Sequence, residues 1–401
     1  MSSVRQNLRD GLLLVSDTAF GAFSGGTPRV DGGVLLMRLD GIGDFFLWLS
    51  SARAIRDAYA GTHITLLADT AFSEFAAGLD LFDEVIPIDR HRLAHDLVYR
   101  YDVFRRIRGT RYDIAILPSY YRIGRFRDGE ALMRAARATR KVGSIGGYED
   151  SWRHRVSRTW YTDLLPAREG DLHEFERNEE FIRGLSIEMQ QDGSPMDRPP
   201  SAAAQSTAAQ STAAQSTAEN AYFVLVPGAG SPLRRWPAAH FALLAERISH
   251  RTGWKGVLCG GPSDTSLAAE IQRLSSVELQ DSVGRLSLAE SVELIRDARI
   301  VVGNETGAIH IAAFVRTPAV SITGGGHYGR FVPYPEGMSG PAAASVHMPC
   351  FHCDWQCIYP VGDHDPAPCV AGIPVESVWL QVEGLLRASG ERYDLREVGA
   401  Y

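Results

Sequence analysis

Hydrophobic and polar positions along this chain fall into a repeating pattern that begins at Val34. Residues 34–39 (VLLMRL) are almost continuously apolar, as in a parallel strand covered on both faces. Gly41 and Gly43 then permit a tight turn, and Phe45, Leu47, Trp48 and Leu49 start a helical pattern running to about residue 59. Strands are predicted next at 63–67, 84–88 and 112–117, with helices at 71–78 and 93–108. A second series starts at Tyr222, with strands at 222–226, 255–259, 300–302 and 319–323 and helices at 237–250, 263–274, 288–298 and 308–315. Such alternation predicts an α/β fold of two Rossmann-like, doubly wound parallel-sheet domains facing across a cleft.

The two series are separated by a tract of another kind. Residues 193–218 pass from Asp-Gly-Ser-Pro and Arg-Pro-Pro into three tandem copies of AAQST, which offer nothing large and apolar to bury. The expected organisation is therefore an N-terminal extension at 1–30, a first domain at 31–192, a linker at 193–219 and a second domain at 220–401. The extension is expected to hold a short amphipathic helix at 4–15, docked on the body or lying on a membrane.

Composition narrows the class. With 45% apolar and 22% charged residues the chain reads as a soluble globular protein. No apolar run reaches the roughly 18 residues of a membrane span, and the N-terminus lacks a secretory pattern, so a cytoplasmic location is expected. The net charge of −7 is uneven: residues 90–141 carry +9, leaving −16 for the remainder. That segment reads either as solvated Arg-bearing helices or as a surface for an anionic partner, such as a phosphorylated lipid or the inner membrane face. A nucleic-acid partner is not expected, because such domains are usually basic throughout.

Candidate chemistry lies in the loops that follow the strands. In the first series, DGIGD puts Asp44 at a helix N-terminus beyond a strand's carboxyl end, with Asp40, Gly41 and Gly43 beside it. An acid in a first helical turn also complements the helix dipole, which is the plainer reading. In the second series, VPGAGSPLRRWP offers Gly228, Arg234 and Arg235, and CGGPSD places Asp264 where a ribose hydroxyl is commonly held. GNETGAIHIAA opens a helix at Thr306 and Gly307, whose free N–H groups suit a diphosphate. Together these three loops describe a nucleotide-diphosphate site. His327, in GGGHYGR, follows a strand end and is a further candidate for donor or acceptor contact.

The order RLDGIGD, PGAGSPLRRWP, GGPSD, ETGAIHIAA resembles glycosyltransferase family 9, the ADP-heptose:lipopolysaccharide heptosyltransferases. The resemblance runs from about residue 34 to 386, residues 149–218 adding nothing to it. It implies a glycosyltransferase B fold and inverting sugar transfer without a catalytic metal. It makes Asp44 the general base and Arg234 the cation on the donor phosphates. Thr306, Gly307 and His310 become part of the donor site, with Glu305 by the donor sugar. The implied donor is a nucleotide-diphosphate sugar, ADP-heptose by preference, and the implied acceptor an anionic glycan or glycolipid. Arg234 and Glu305 stand where the family usually has Lys and Asp. The first change swaps a point charge for a planar fork, and the second adds a methylene. Two other readings accompany this one: a nucleotide-sugar epimerase of the same fold, and a non-enzymatic nucleotide-sugar-binding protein.

Four of the five cysteines, Cys350, Cys353, Cys357 and Cys369, are spaced C-x2-C-x3-C-x11-C. Reduced cytoplasmic thiols at that spacing suit a structural zinc or iron, with ordinary free thiols in a loop as the other reading.

Overall fold

Two parallel sheets organise the chain, which the computed structural model describes at residues 11–17, 30–120, 127–146, 152–187 and 221–389. The AAQST tract and most of the N-terminal extension lie outside the described residues. The chain divides into two compact units, Met1–Gly170 with Phe175–Gln191, and Asp171–Glu174 with Asp192–Tyr401.

In the first unit the strands are β1 (Val30–Asp31), β2 (Val34–Arg38), β3 (Ile64–Asp69), β4 (Glu84–Ile88), β5 (Thr110–Leu117), β6 (Arg137–Ser144) and β7 (Asp163–Leu165). They pair in the order β4-β3-β2-β5-β6-β7, all parallel, with β1 against β5. The helices are α1 (residues 11–17), α2 (Ile42–Ala58), α3 (Ser73–Ala77), α4 (Arg90–His95), α5 (Leu97–Arg108), α6 (Arg127–Ala135), α7 (Trp152–Ser157) and α8 (Glu174–Gly184). Gly33 separates β1 from β2 with φ +103°, and a Cβ there would come within 2.8 Å of the His63 carbonyl oxygen, so glycine is required.

All five positions of β2 are buried, as its unbroken apolar run requires of a central strand. Helix α2 buries Phe45, Phe46, Leu47, Trp48 and Leu49 in succession, and Phe45 stacks on Phe72 at 4.3 Å. Each fully buried aromatic contributes about 2–3 kcal/mol of burial. The helix predicted at 93–108 is instead two, because Asp96 ends α4 and its carboxylate accepts the Tyr99 N–H at 3.0 Å to cap α5.

The second unit repeats the arrangement. Its strands are β8 (Tyr222–Val226), β9 (Lys255–Leu258), β10 (Leu279–Asp281), β11 (Ile300–Asn304), β12 (Ala319–Ile322) and β13 (Ala342–Ala344), ordered β10-β9-β8-β11-β12-β13 and all parallel. Its helices are α9 (Ala238–Thr252), α10 (Thr265–Leu274), α11 (Leu288–Arg296), α12 (Gly307–Phe314), α13 (Pro368–Ala371) and α14 (Val375–Ala388). Phe223, Trp236, Phe241, Ile300 and Val378 anchor its core.

Both strand orders reverse direction beside the unit's first long strand, at β2/β5 and at β8/β11. In an open parallel sheet that reversal leaves a crevice outside the strands' carboxyl ends, the usual ligand position. The DGIGD loop follows β2, and the PGAGSPLRRWP and ETGAIH loops follow β8 and β11, so the sequence motifs sit at these two points.

Candidate functional site

At the first crevice, Arg38 ends β2 fully buried and organises the loop. Its Nε lies 2.8 Å from Asp40 Oδ1, Nη2 donates to the Asp44 carbonyl at 3.0 Å, and the guanidinium sits 5.5 Å from the Trp48 ring centre. Gly41, the N-cap of α2, donates its N–H to Asp44 Oδ2 at 3.2 Å, the N3-to-N-cap half of a capping box. As an acid in the first turn of α2, Asp44 is also placed to complement the helix dipole, the plainer reading, through a half-buried carboxylate. Arg90 reaches the same edge, with Nε 2.6 Å from Asp69 and Nη1 donating to the Leu39 carbonyl at 2.6 Å.

Part of the basic segment is paired. Arg90, Arg92, Arg100, Arg105, Arg106 and Arg140 each lie within salt-bridge distance of an Asp or Glu. Six of the segment's fourteen Arg and Lys side chains are thus engaged within this unit. Arg100 is buried and holds Asp17 of α1 through Nε and Nη2 at 2.8 and 2.7 Å.

At the second crevice, Asn304, fully buried at the end of β11, joins two loops. Its Oδ1 accepts the Trp236 N–H at 3.0 Å and its Nδ2 donates to the Pro227 carbonyl at 2.6 Å. Arg234 Nη2 lies 3.0 Å from Glu305 Oε1 and also donates to the Glu305 carbonyl, linking the same loops from the crevice side. Thr306 is the N-cap of α12, yet no side chain caps that helix. Arg234 Nε, Arg235 Nε and Thr306 Oγ1 are buried atoms with no hydrogen-bond partner. Such donors beside an uncapped helix N-terminus suit an anion.

Asp264, the ribose-hydroxyl candidate, ends the short turn Pro262–Asp264 that follows β9. It is buried, its Oδ2 accepts the Gly261 N–H at 3.0 Å, and a Cβ on Gly228 would come within 2.2 Å of that oxygen. It braces the CGGPSD loop against the PGAG loop. His310 lies on the first turns of α12, fully enclosed, with Nδ1 3.0 Å from the Tyr334 hydroxyl. Burial, then the neighbouring His173 and Arg234, pushes its imidazole down to about 3, so it is neutral across the physiological range. Gly307 opens the helix half-buried.

His327 has both nitrogens engaged: Trp355 Nε1–H donates to Nδ1 at 3.2 Å, and Nε2 is 2.6 Å from Asp354 Oδ1. With Nδ1 as acceptor, Nε2 carries the proton and donates it. Burial and the nearby Arg330 lower its pKa, consistent with a neutral ring.

The metal expectation finds no support. Cys350, Cys353 and Cys357 are half-buried and Cys369 is buried. They approach closely enough that, after burial, the other three raise the Cys369 thiol. Yet among the described residues no three His, Cys, Asp or Glu side chains are grouped to hold a metal ion. Cys369 Sγ instead accepts the Gly325 N–H at 3.4 Å.

Sequence reasoning gave no role to Arg38, Asn304, Tyr334 or Trp355. Arg38 and Asn304 carry a readable signal, a polar residue at the last position of an apolar strand. Tyr334 and Trp355 reach the site from distant loops and carry none.

A Rossmann-type unit with an anion-ready helix N-terminus and paired arginine loop at its crevice defines a nucleotide-binding α/β protein. Residues 130–358 match glycosyltransferase family 9 (heptosyltransferase), more than half of the chain. Lipopolysaccharide heptosyltransferase 1 of Pseudomonas aeruginosa is 26% identical over 341 residues, covering 80% of this chain and 85% of the relative. A glycosyltransferase family 9 structure from Veillonella parvula superposes with TM-score 0.70 at 18% identity, over 90% of this chain and 99% of that one. The E. coli ADP-heptose lps heptosyltransferase II superposes with TM-score 0.65 at 18% identity, over 90% and 100%. The chain belongs to glycosyltransferase family 9 and has the glycosyltransferase B fold class. It is a glycosyltransferase, which sets aside the epimerase and the non-enzymatic readings.

Proposed function

We propose that this enzyme moves heptose from ADP-heptose to a lipopolysaccharide-type glycan acceptor, with inversion and without a catalytic metal. The first unit takes the acceptor and the second the donor. One observation carries the reading: Arg234 and the uncapped start of α12 meet at the β8/β11 crevice with buried donor atoms lacking partners. A departing nucleoside diphosphate gains negative charge, which a guanidinium and helix N–H groups stabilise. Support for the sugar and nucleotide comes from the names of the relatives.

In this reading Asp44 takes the proton of the acceptor hydroxyl as its oxygen attacks the anomeric carbon. The bond from that carbon to the diphosphate breaks, and ADP leaves against Arg234, Thr306 and Gly307. Arg235 adds charge to the same loop, Glu305 sets the position of Arg234, and Asp264 and His310 shape the pocket. Asp40, Gly41 and Gly43 hold Asp44 in place on the acceptor side.

Peripheral contact with the inner membrane face belongs to the same proposal. Leu12 and Val15 on α1 and Leu97 and Val98 on α5 are 71%, 68%, 48% and 74% exposed, and the Asp17–Arg100 pair ties the two helices together. No described helix is long and apolar enough to cross a membrane. A structural zinc or iron on the four cysteines rests on their sequence spacing alone, and elemental analysis of purified protein decides it.

The test of the main reading is turnover with ADP-heptose and a heptose-deficient lipopolysaccharide core. ADP release coupled to a gain of one heptose in acceptor mass is expected. Stabilisation by another nucleotide sugar, with ADP-heptose inert, overturns it.

A further inference from the structure

The cysteine-rich loop wraps the glycine run after β12. His352 N–H donates to the Gly325 carbonyl at 2.7 Å and Asp354 N–H to the Gly326 carbonyl at 3.1 Å. A Cβ on Gly324 would come within 2.7 Å of Trp355 Cη2, and one on Gly326 within 2.4 Å of Trp355 Cδ2. The glycines therefore form a flat seat for the Trp355 indole. To reach it, His352, Asp354 and Trp355 adopt φ of +67°, +50° and +59°, a conformation side-chain-bearing residues seldom take. Strain of this kind persists where surrounding contacts over-determine it, and it clusters at ligand sites.

The indole is fixed in rotation as well as position. Its Nε1–H is held by His327 Nδ1 at 3.2 Å, and His327 is held in turn by Asp354 at 2.6 Å. In that orientation the ring lies 5.6 Å from the Arg234 guanidinium carbon. Arg234 thus has Glu305 on one side and an aromatic ring on another. An arginine beside an aromatic ring gains electrostatic attraction and loses freedom of movement.

We propose that Trp355 is a positioning residue, holding the Arg234 guanidinium in place for the donor diphosphate, with His327 and Asp354 locking the indole. This rests on the reading of Arg234 as the diphosphate cation. It gives the cysteine loop a role in donor binding that needs no metal.

The test is a double-mutant cycle on ADP affinity, measured by calorimetry with Trp355→Leu, Arg234→Gln and the double variant. Trp355→Leu is expected to weaken ADP binding by about tenfold in the native background, the size of a partly desolvated cation–π contact. In the Arg234→Gln background the same change is expected to cost less than about twofold, because its target is gone. Equal losses in both backgrounds mean that Trp355 only packs, and overturn the proposal, as does no loss in either. If Arg234→Gln alone leaves ADP affinity unchanged, the donor reading of Arg234 falls and the proposal falls with it. Should Trp355→Leu fail to fold by thermal melting, Trp355→Phe enters the same cycle. It keeps a ring face and drops the bond to His327, so a smaller loss confined to the Arg234 background is expected, and an additive loss overturns the proposal.

Discussion

Arg234 and Glu305 form an ion pair, 3.0 Å from Nη2 to Oε1, in which the glutamate is buried and the arginine about one-quarter exposed. The pair joins the loops after β8 and β11. A diphosphate bound at Arg234 competes with the Glu305 carboxylate for the same guanidinium. Glu305→Gln is therefore expected to tighten ADP binding by roughly three- to tenfold while lowering unfolding free energy by about 1–3 kcal/mol. Calorimetry with ADP and chemical denaturation check the two effects. Weaker ADP binding in the variant contradicts the competition.

Asp44 both caps α2 and is assigned the base role, and substitution separates these functions. Asp44→Asn keeps an oxygen for the Gly41 N–H, so the cap survives and stability drops by no more than about 1 kcal/mol. A carbonyl oxygen is too weak a base for the acceptor hydroxyl, so turnover is expected to fall by about 100-fold or more with ADP affinity unchanged. Turnover within about threefold of the native enzyme leaves Asp44 a helix cap and nothing else.

The fold was readable because both units use buried parallel strands, whose apolar runs at 34–39 and 222–226 match β2 and β8 within a residue. Less was visible where tertiary contacts decide. β6 (RATRKVGS) has an exposed, charged first half, so no apolar run marks it, although it pairs with β5 over most of its length. The Asp96 break was legible in principle as an N-cap inside a helical pattern, but periodicity alone runs through it. At the β8/β11 crevice the motifs pointed to Arg234, Thr306 and His310. They did not locate Asn304's bridging or the approach of Trp355 and Tyr334, which depend on loops far apart in sequence.

His310 gives a pH dependence with a definite sign. Its native imidazole titrates at about 3 through burial, against 6.5 for an ordinary histidine. Between those values the unfolded chain binds a proton that the native state refuses, so stability falls as pH drops through that window. His310→Asn is expected to remove about 1–3 kcal/mol of the loss between pH 6.5 and pH 4.5. Denaturation curves for both proteins across that range check it. An unchanged acid limb means that His310 accepts a proton in the folded enzyme.

Lys141 provides the alkaline counterpart in the first unit. Its ammonium donates to the Met133 and Arg134 carbonyls at 2.9 and 3.3 Å, in the last turn of α6. Burial, then Arg108 and Arg134, pushes it down to about 8 from 10.5. Below pH 8 the lysine is charged in both states and the cost of burying that charge is fully felt. From pH 8 to 10.5 the native state releases the proton while the unfolded chain keeps it, so this residue's contribution to stability rises with pH. Partial exposure limits the gain to about 1–2 kcal/mol. Lys141→Met lacks the titration, so the difference in unfolding free energy between native and variant should shift in favour of the native protein by that amount from pH 7.5 to 10. Parallel curves over that range would show that Lys141 keeps its proton, its two carbonyl bonds outweighing desolvation.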